Sequence, residues 1–351
     1  MKLSESPPET RLPSAVAGSV TIVIPTFGQA DRVGEAIASA LAQSYRDLEV
    51  LVMDDASPDE TSAVASRFGD LRLRVVRNAV NLGRVGNYRE GLSRARGAWV
   101  LMLDGDDVLL DPEFIGEAMR HVATDPGLVL VVGGQRFFQL DGRFRDRFPT
   151  SHAEEHMEGW TFFLRWRSPR QTVPHLASIY RADLARSIGF YAEDILSSDW
   201  ESLRRLCLFG RVALLRRLAG VWHGHDANAS KGRDVEAHVA NLRAIQGPYE
   251  QALRQGRAGW RLRLWRWDAL QRYLGMYLDA ALSTGDMEAA HAYTRAFVAR
   301  VGRRTGVALV LVCWVTRPSL WFKRLLTLGG PGLLTVARRV WHRLTWSRQV
   351  D

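Results

Sequence analysis

Short apolar runs that end in carboxylates, alternating with helical patterns, constrain this chain more than any other feature. Residues 20–24, Val-Thr-Ile-Val-Ile, are rich in β-branched side chains and stop at Pro25, the pattern of a buried strand. Over 31–43, Val33, Ile37, Ala40 and Leu41 recur at helical spacing, and Asp31 is the expected cap. Residues 48–53 form a second apolar run, stopped by Asp54-Asp55-Ala56-Ser57-Pro58. The same reading predicts a helix over 60–68, a strand over 73–77, a helix over 85–95 and a strand over 99–103. Such alternation builds an α/β domain with a Rossmann-like, mostly parallel sheet and crossovers on both faces. Ligands meet such sheets beyond the carboxyl ends of the strands. Asp54, Asp55, Asp104, Asp106 and Asp107 all fall just past predicted strand ends.

Charge divides the chain. Residues 1–230 carry 27 basic and 30 acidic side chains, a net of −3, whereas 231–351 carry 20 and 8, a net of +12. The second part also holds seven of the twelve tryptophans. Basic and Trp-rich together suggest an anionic surface, and no nucleic-acid-binding motif is recognisable, which favours lipid headgroups. Residues 1–18 lack the apolar stretch of a secretion signal and read as a disordered lead-in. From Val235 the pattern is helical to the end, so a boundary is expected near Gly232, between a 19–232 domain and a helical 233–351 region. The two cysteines, Cys207 and Cys313, read as free thiols in a reducing compartment. The most apolar run, 307–315, is about half of what spans a bilayer.

The segment Leu101-Met-Leu-Asp104-Gly105-Asp106-Asp107 sets carboxylates two residues apart, with Gly105 leaving the backbone room for close approach. That arrangement suits a hard divalent cation bridging a diphosphate. A solvated turn is the competing explanation, since Asp and Gly both favour turns.

Residues 20–230 resemble the family 2 glycosyltransferases, which have the glycosyltransferase A fold. The resemblance rests on Pro25-Thr-Phe27, Asp54-Asp55-Ala-Ser57, Asn81-Leu-Gly83 and Asp104-Gly-Asp106-Asp107, in the family's order and near its spacing. It implies that Asp55 accepts from the nucleobase while Asp54 orients the loop, and that the base lies near Pro25 and Phe27. It implies Asp104 at the ribose, Asp106 at Mn²⁺ or Mg²⁺, and Arg84 or Arg89 at the diphosphate. Helix capping is the alternative role for Asp54 and Asp55.

The family's catalytic base is the Asp of a Glu-Asp pair before a helix, and Ser197-Ser198-Asp199-Trp200 stands at that place, with Ser198 where Glu is usual. Asp199 is therefore the expected base for inverting transfer, with helix capping as its alternative role. Trp222-His223-Gly-His225 resembles the family's closing segment, which makes His225 a second expected metal or diphosphate ligand. His152, His156, Trp160, Trp166 and His175 fall where relatives build acceptor sites.

The implied activity is inverting transfer from a nucleotide sugar, UDP or dTDP type, to a glycan or lipid-linked acceptor in polysaccharide or glycolipid synthesis. A non-catalytic nucleotide-sugar binder or scaffold and a sugar nucleotidyltransferase are the alternatives. In 333–346, Leu333, Ala337, Val340, Trp341 and Leu344 gather on one face and Arg338, Arg339 and Arg343 on the other, as in an interfacial helix. This places the enzyme at the cytoplasmic membrane face; the alternative is a packing or homo-oligomer contact.

Overall fold

The computed structural model describes residues 18–138, 142–167, 173–224, 235–284 and 286–316. Among them the chain divides into two compact units. One holds the residues up to Gly224 with Arg243–Leu262, and the other holds Val235–Leu242 and the residues from Arg263 onward.

The first unit opens with β1 (Val20–Thr26), α1 (Val33–Leu41), β2 (Leu48–Asp54), α2 (Thr61–Ser66), β3 (Leu73–Arg77), α3 (Gly83–Arg94) and β4 (Trp99–Met102). Strand order begins β3-β2-β1-β4, with every pair parallel. β1 is buried throughout because it is covered on both faces. Val20, Ile22 and Ile24 share a core cluster with Val33, Ala36, Ile37 and Ala40 of α1. On the other face α3 lies so close that a Cβ at Gly91 would come 2.6 Å from Val23 Cγ1. Strand period two on a central strand thus serves two helical layers. One detail differs from the sequence reading: Arg32 occupies the α1 cap without a side-chain bond, and Asp31 ion-pairs with it at 3.5 Å instead.

Beyond β4 the sheet becomes mixed. β5 (Val108–Leu109), α4 (Phe114–Thr124), β6 (Leu128–Phe138), β7 (Phe144–Arg147), β8 (Glu154–Glu158) and α5 (Gly159–Arg165) precede β9 (Ser178–Arg181) and α6 (Ala182–Ser187). α7 (Ser198–Cys207) and β10 (Arg211–His223) complete the sheet, whose order continues β4-β9-β6-β10-β5. β9 runs antiparallel to β4 and β6, while β6 and β10 are parallel.

The helical pattern that begins at Val235 opens with α8 (Val235–Ala240), in the second unit, and α9 (Arg243–Arg254), in the first. Tertiary packing explains the break. α9 docks on α7, where Arg204 Nη1 donates to Ala244 O at 2.9 Å and a Cβ at Gly247 would come 2.5 Å from Glu201 Oε1. Inside α7, buried Glu201 pairs with Arg205 at 2.7 Å, and Arg205 also donates to the Gly189 carbonyl. Further on are α10 (Trp260–Thr284), α11 (Met287–Val301), capped by Asp286 through Ala289 N, and α12 (Arg303–Thr316). In the second unit, Tyr277 contacts His238 and Tyr293, with ring centroids 4.2 and 5.0 Å away. The amphipathic 333–346 segment lies outside the described residues. Among the described residues no helix is long and apolar enough to cross a membrane.

Candidate active site

Because β1, β2 and β4 are parallel, their carboxyl ends share one edge, and the chain leaves all three there through polar loops. Main-chain bonds hold these loops together past the strands. Asp55 N donates to Thr26 O (2.9 Å), Leu103 N to Val23 O (2.9 Å) and Gly105 N to Pro25 O (3.1 Å). The loop after β1 is also tied to the loop after β2, through Gly28 N to Ser57 Oγ and Gln29 N to Thr61 Oγ1.

Asp54 and Asp55 diverge from this point. Asp54 is fully buried behind the cavity, where Oδ1 accepts from Ser57 N at 3.0 Å and Oδ2 pairs with Arg77 at 2.6 Å. It fixes the 54–57 turn, in which Ala56 adopts φ 59°, a conformation costly for a residue with a Cβ. Asp55 lines the cavity; its Oδ1 accepts from Asn78 Nδ2 and Leu82 N, each at 2.8 Å. Among the described residues, Oδ2 takes no hydrogen bond. Neither residue caps α2, whose cap position is Glu60.

The edge opens into a cavity of about 900 Å³. Pro25, Phe27, Asp55, Arg84, Asp104, Asp106 and Asp199 all line it, although the sequence spreads them over the ends of β1, β2 and β4 and the starts of α3 and α7. Phe27 is half exposed there (49%). The Asp104 turn is tightly seated: a Cβ at Gly105 would come 2.4 Å from Gln29 Oε1 and 2.9 Å from Thr26 Oγ1. Gly105→Ala is expected to shift these loops, cost about 1–3 kcal/mol of stability and weaken donor binding. Calorimetry of the variant checks this, and wild-type Tm together with wild-type donor affinity would contradict it.

The carboxylates around Gly105 are short of positive charge. Burial pushes Asp104 up from the ordinary carboxylate range; His175 pulls it back, Asp106 pushes it further up, and Tyr88 and Arg84 pull it back. Asp107 is held well above that range by burial and by repulsion from Asp106 and Asp104. Its Oδ1 accepts from His223 N at 3.0 Å, so it anchors the end of β10. His223 Nδ1 lies 2.9 Å from the Asp106 carbonyl. A cation at this turn would offset the repulsion, so the residues present fit a divalent ion. His225, the other expected ligand, lies outside the described residues.

Arg84 spans the cavity floor, donating to the carbonyls of Ile195 (2.8 Å) and Leu196 (3.2 Å) just before α7. Burial lowers its pKa, but Tyr88, Asp199 and Asp104 around it more than offset that and hold it raised. Arg89 turns elsewhere, to the Tyr191 carbonyl at 2.9 Å. Asp199 stands in the first turn of α7, while Ser197 occupies the cap position without a side-chain capping bond. The Asp199 carboxylate accepts no hydrogen bond from any described residue, so it is not spent on capping.

Several residues have roles at the site that sequence reasoning did not assign. Tyr88 donates to Asp104 Oδ1 at 2.8 Å and packs against His175 and Tyr191. Tyr191, itself at φ 59°, bonds His175 Nε2 (2.8 Å) and Ser202 Oγ (2.9 Å), linking the Asp104 turn to α7. Gln135, Phe137, Arg147, Trp200 and Trp222 form the far wall. Of the aromatic and histidine candidates between 152 and 175, only His175 lines the cavity; Trp166 is fully buried beside Arg204. One available signal was the polar pair Gln135-Arg136 near the end of an otherwise apolar strand, of which Gln135 lines the cavity.

Residues 21–186 match the family model described as Glycosyl transferase family 2. The chain carries a family 2 glycosyltransferase domain. The succinoglycan biosynthesis protein ExoO of Rhizobium meliloti is 36% identical over 124 residues, 35% of each chain. The Escherichia coli UDP-Glc:α-D-GlcNAc-diphosphoundecaprenol β-1,3-glucosyltransferase WfaP is 31% identical over 88 residues, 25% of this chain and 35% of that one. The match thus spans about a third of either relative. Staphylococcus aureus TarS 1–349, solved with UDP-GlcNAc, superposes with a TM-score of 0.63 at 17% identity, covering 82% of both chains. At that identity the likeness shows the glycosyltransferase A fold and nothing finer.

Proposed function

We propose that the chain transfers a sugar from a nucleoside diphosphate donor, UDP or dTDP type, to a glycan or lipid-linked acceptor, inverting the anomeric centre. The observation that carries this reading is the convergence of Asp55, Asp104, Asp106 and Asp199 on one cavity beyond the strand ends. Asp55 Oδ2 suits the imide N–H of uracil or thymine, with Pro25 and Phe27 as the apolar floor for the ring. Asp104 stands at the ribose. Asp106 would hold Mn²⁺ or Mg²⁺, which supplies positive charge to the departing diphosphate when bound. Arg84 adds fixed charge between Asp104 and Asp199. Asp199 takes the acceptor hydroxyl's proton, and Phe137, Trp200 and Trp222 offer faces for an acceptor sugar.

The E. coli relative, named for transfer from UDP-Glc to a diphosphoundecaprenol-linked acceptor, supports the donor and acceptor classes. The succinoglycan relative supports a place in polysaccharide synthesis. Purified protein offered a panel of nucleotide sugars with Mn²⁺ and lipid-linked acceptors is expected to form a β-linked product from an α-linked UDP or dTDP donor. Turnover with retained configuration, or donor binding without any transfer or hydrolysis, sinks the reading; the latter leaves a non-catalytic binder.

The basic C-terminal region is proposed to hold the enzyme peripherally at the inner membrane face. From Arg303 it carries nine basic residues against Asp351 alone. Each basic residue near an anionic surface contributes about 1 kcal/mol. The full chain should co-sediment with phosphatidylserine vesicles far more than with phosphatidylcholine vesicles, and less as salt rises. Equal binding to both would leave the region as a packing or dimer element.

A further inference from the structure

Away from the donor cavity, α4 and β8 bring two imidazoles and two carboxylates together. Glu117 and His121 lie one helical turn apart on α4, and Glu154 and His156 lie two apart on β8, so each pair shares a face. All four line a separate pocket. One donor atom each from His121, Glu154 and His156 lies within 4.8 Å of the others. His121 Nε2 is buried, takes part in no hydrogen bond among the described residues, and sits 3.4 Å from both Glu117 Oε1 and Glu154 Oε2. Ligand atoms at 2.0–2.2 Å from a tetrahedral ion are themselves about 3.4 Å apart, so the spacing is that of a ligand set.

The supports behind these atoms point the same way. His156 Nδ1 faces Asp125 Oδ2 at 3.8 Å, and Arg211 holds Asp125 at 2.8 Å. His156 Nε2 and His121 Nδ1 share a hydrogen bond at 3.0 Å, which a metal ion held by His156 Nε2 would replace. A carboxylate hydrogen-bonded to the far nitrogen of an imidazole is the usual support of a ligating histidine, and Asp125, at 3.8 Å, is near that place without making the bond. Glu117 is divided likewise: Oε2 is engaged by Arg120 and Arg217, while Oε1 faces His121.

We infer that His121, Glu154 and His156, with Glu117 closing the set, form a second metal site that takes a zinc-type divalent ion and ties α4 to β8. Mixed imidazole and carboxylate donors favour zinc over magnesium, which prefers an all-oxygen shell. The site is independent of the Asp106 turn and needs no nucleotide. The competing account is an ion-free network of hydrogen-bonded imidazoles between carboxylates.

The test uses full-length protein stripped with chelator and titrated with Zn²⁺ by calorimetry in excess Mg²⁺, alongside thermal unfolding. One zinc per chain and a zinc-dependent rise in Tm are expected. Glu154→Gln, at a side chain 59% exposed and therefore safe for folding, should weaken zinc at least about tenfold, and His156→Ala should abolish it. Asp106→Ala should leave zinc affinity unchanged. No zinc uptake by the wild type, unaltered affinity in Glu154→Gln, or loss of zinc in Asp106→Ala would each overturn the assignment.

Discussion

Asp199→Asn is expected to lower kcat about 10²-fold or more while leaving donor affinity nearly unchanged. The substitution keeps the side chain's shape and removes only its capacity to take a proton. Asp199 is not consumed by local structure: the α7 cap is Ser197, and no described residue donates to the Asp199 carboxylate. It lines the cavity beside Trp200, with Arg84 anchored to the loop just ahead of it. A loss of that size corresponds to roughly 2.7 kcal/mol of barrier, in the range general-base catalysis supplies. Single-turnover rates with separately measured donor dissociation constants decide the matter. A variant at near wild-type rate removes Asp199 as the base, and a large loss of donor affinity would recast it as a binding residue.

Removing divalent metal is expected to abolish turnover, and adding Mn²⁺ or Mg²⁺ to restore it. Asp106→Ala should make donor affinity insensitive to added metal, whereas the wild type should bind far more tightly with metal present. The reason lies in the charge around Gly105, where burial and mutual repulsion push Asp104 and Asp107 upward. A nucleoside diphosphate would bring further negative charge to the same place, and Arg84, beside Asp104, offsets part of it. Full activity in excess chelator would contradict this account and shift the charge balance onto Arg84. Chelator is also expected to strip the α4–β8 cluster, so the Asp106→Ala comparison isolates the donor site.

The alternation of strand and helix periods was legible because periodicity is a local property. β3 falls at the predicted 73–77, and β1, β2, β4, α1 and α3 appear within a few residues of expectation. Parallel pairing follows from the crossovers, and parallel strands place their carboxyl ends together. The strand-terminal aspartates therefore had to meet at one edge, whatever the rest of the chain did.

Other features depended on contacts between residues far apart in the chain, which no local pattern records. Asp54 and Asp55 are neighbours in sequence, yet one is sealed against Arg77 and the other faces the cavity, because an extended chain turns successive side chains to opposite sides. β9 enters antiparallel between β4 and β6, which brings the preceding His175 to Tyr191 behind Asp104. The helical pattern over 235–254 gave no sign that α9 would dock on α7, since periodicity marks an apolar face and not its partner. His121 and His156, 35 residues apart, meet only because α4 and β8 are brought together by the fold. Sequence by itself determined the scaffold and the end of it that carries chemistry. Tertiary structure decided which carboxylate is held back, which is left open, and what surrounds each, because burial and charge are set by neighbours from every element at once.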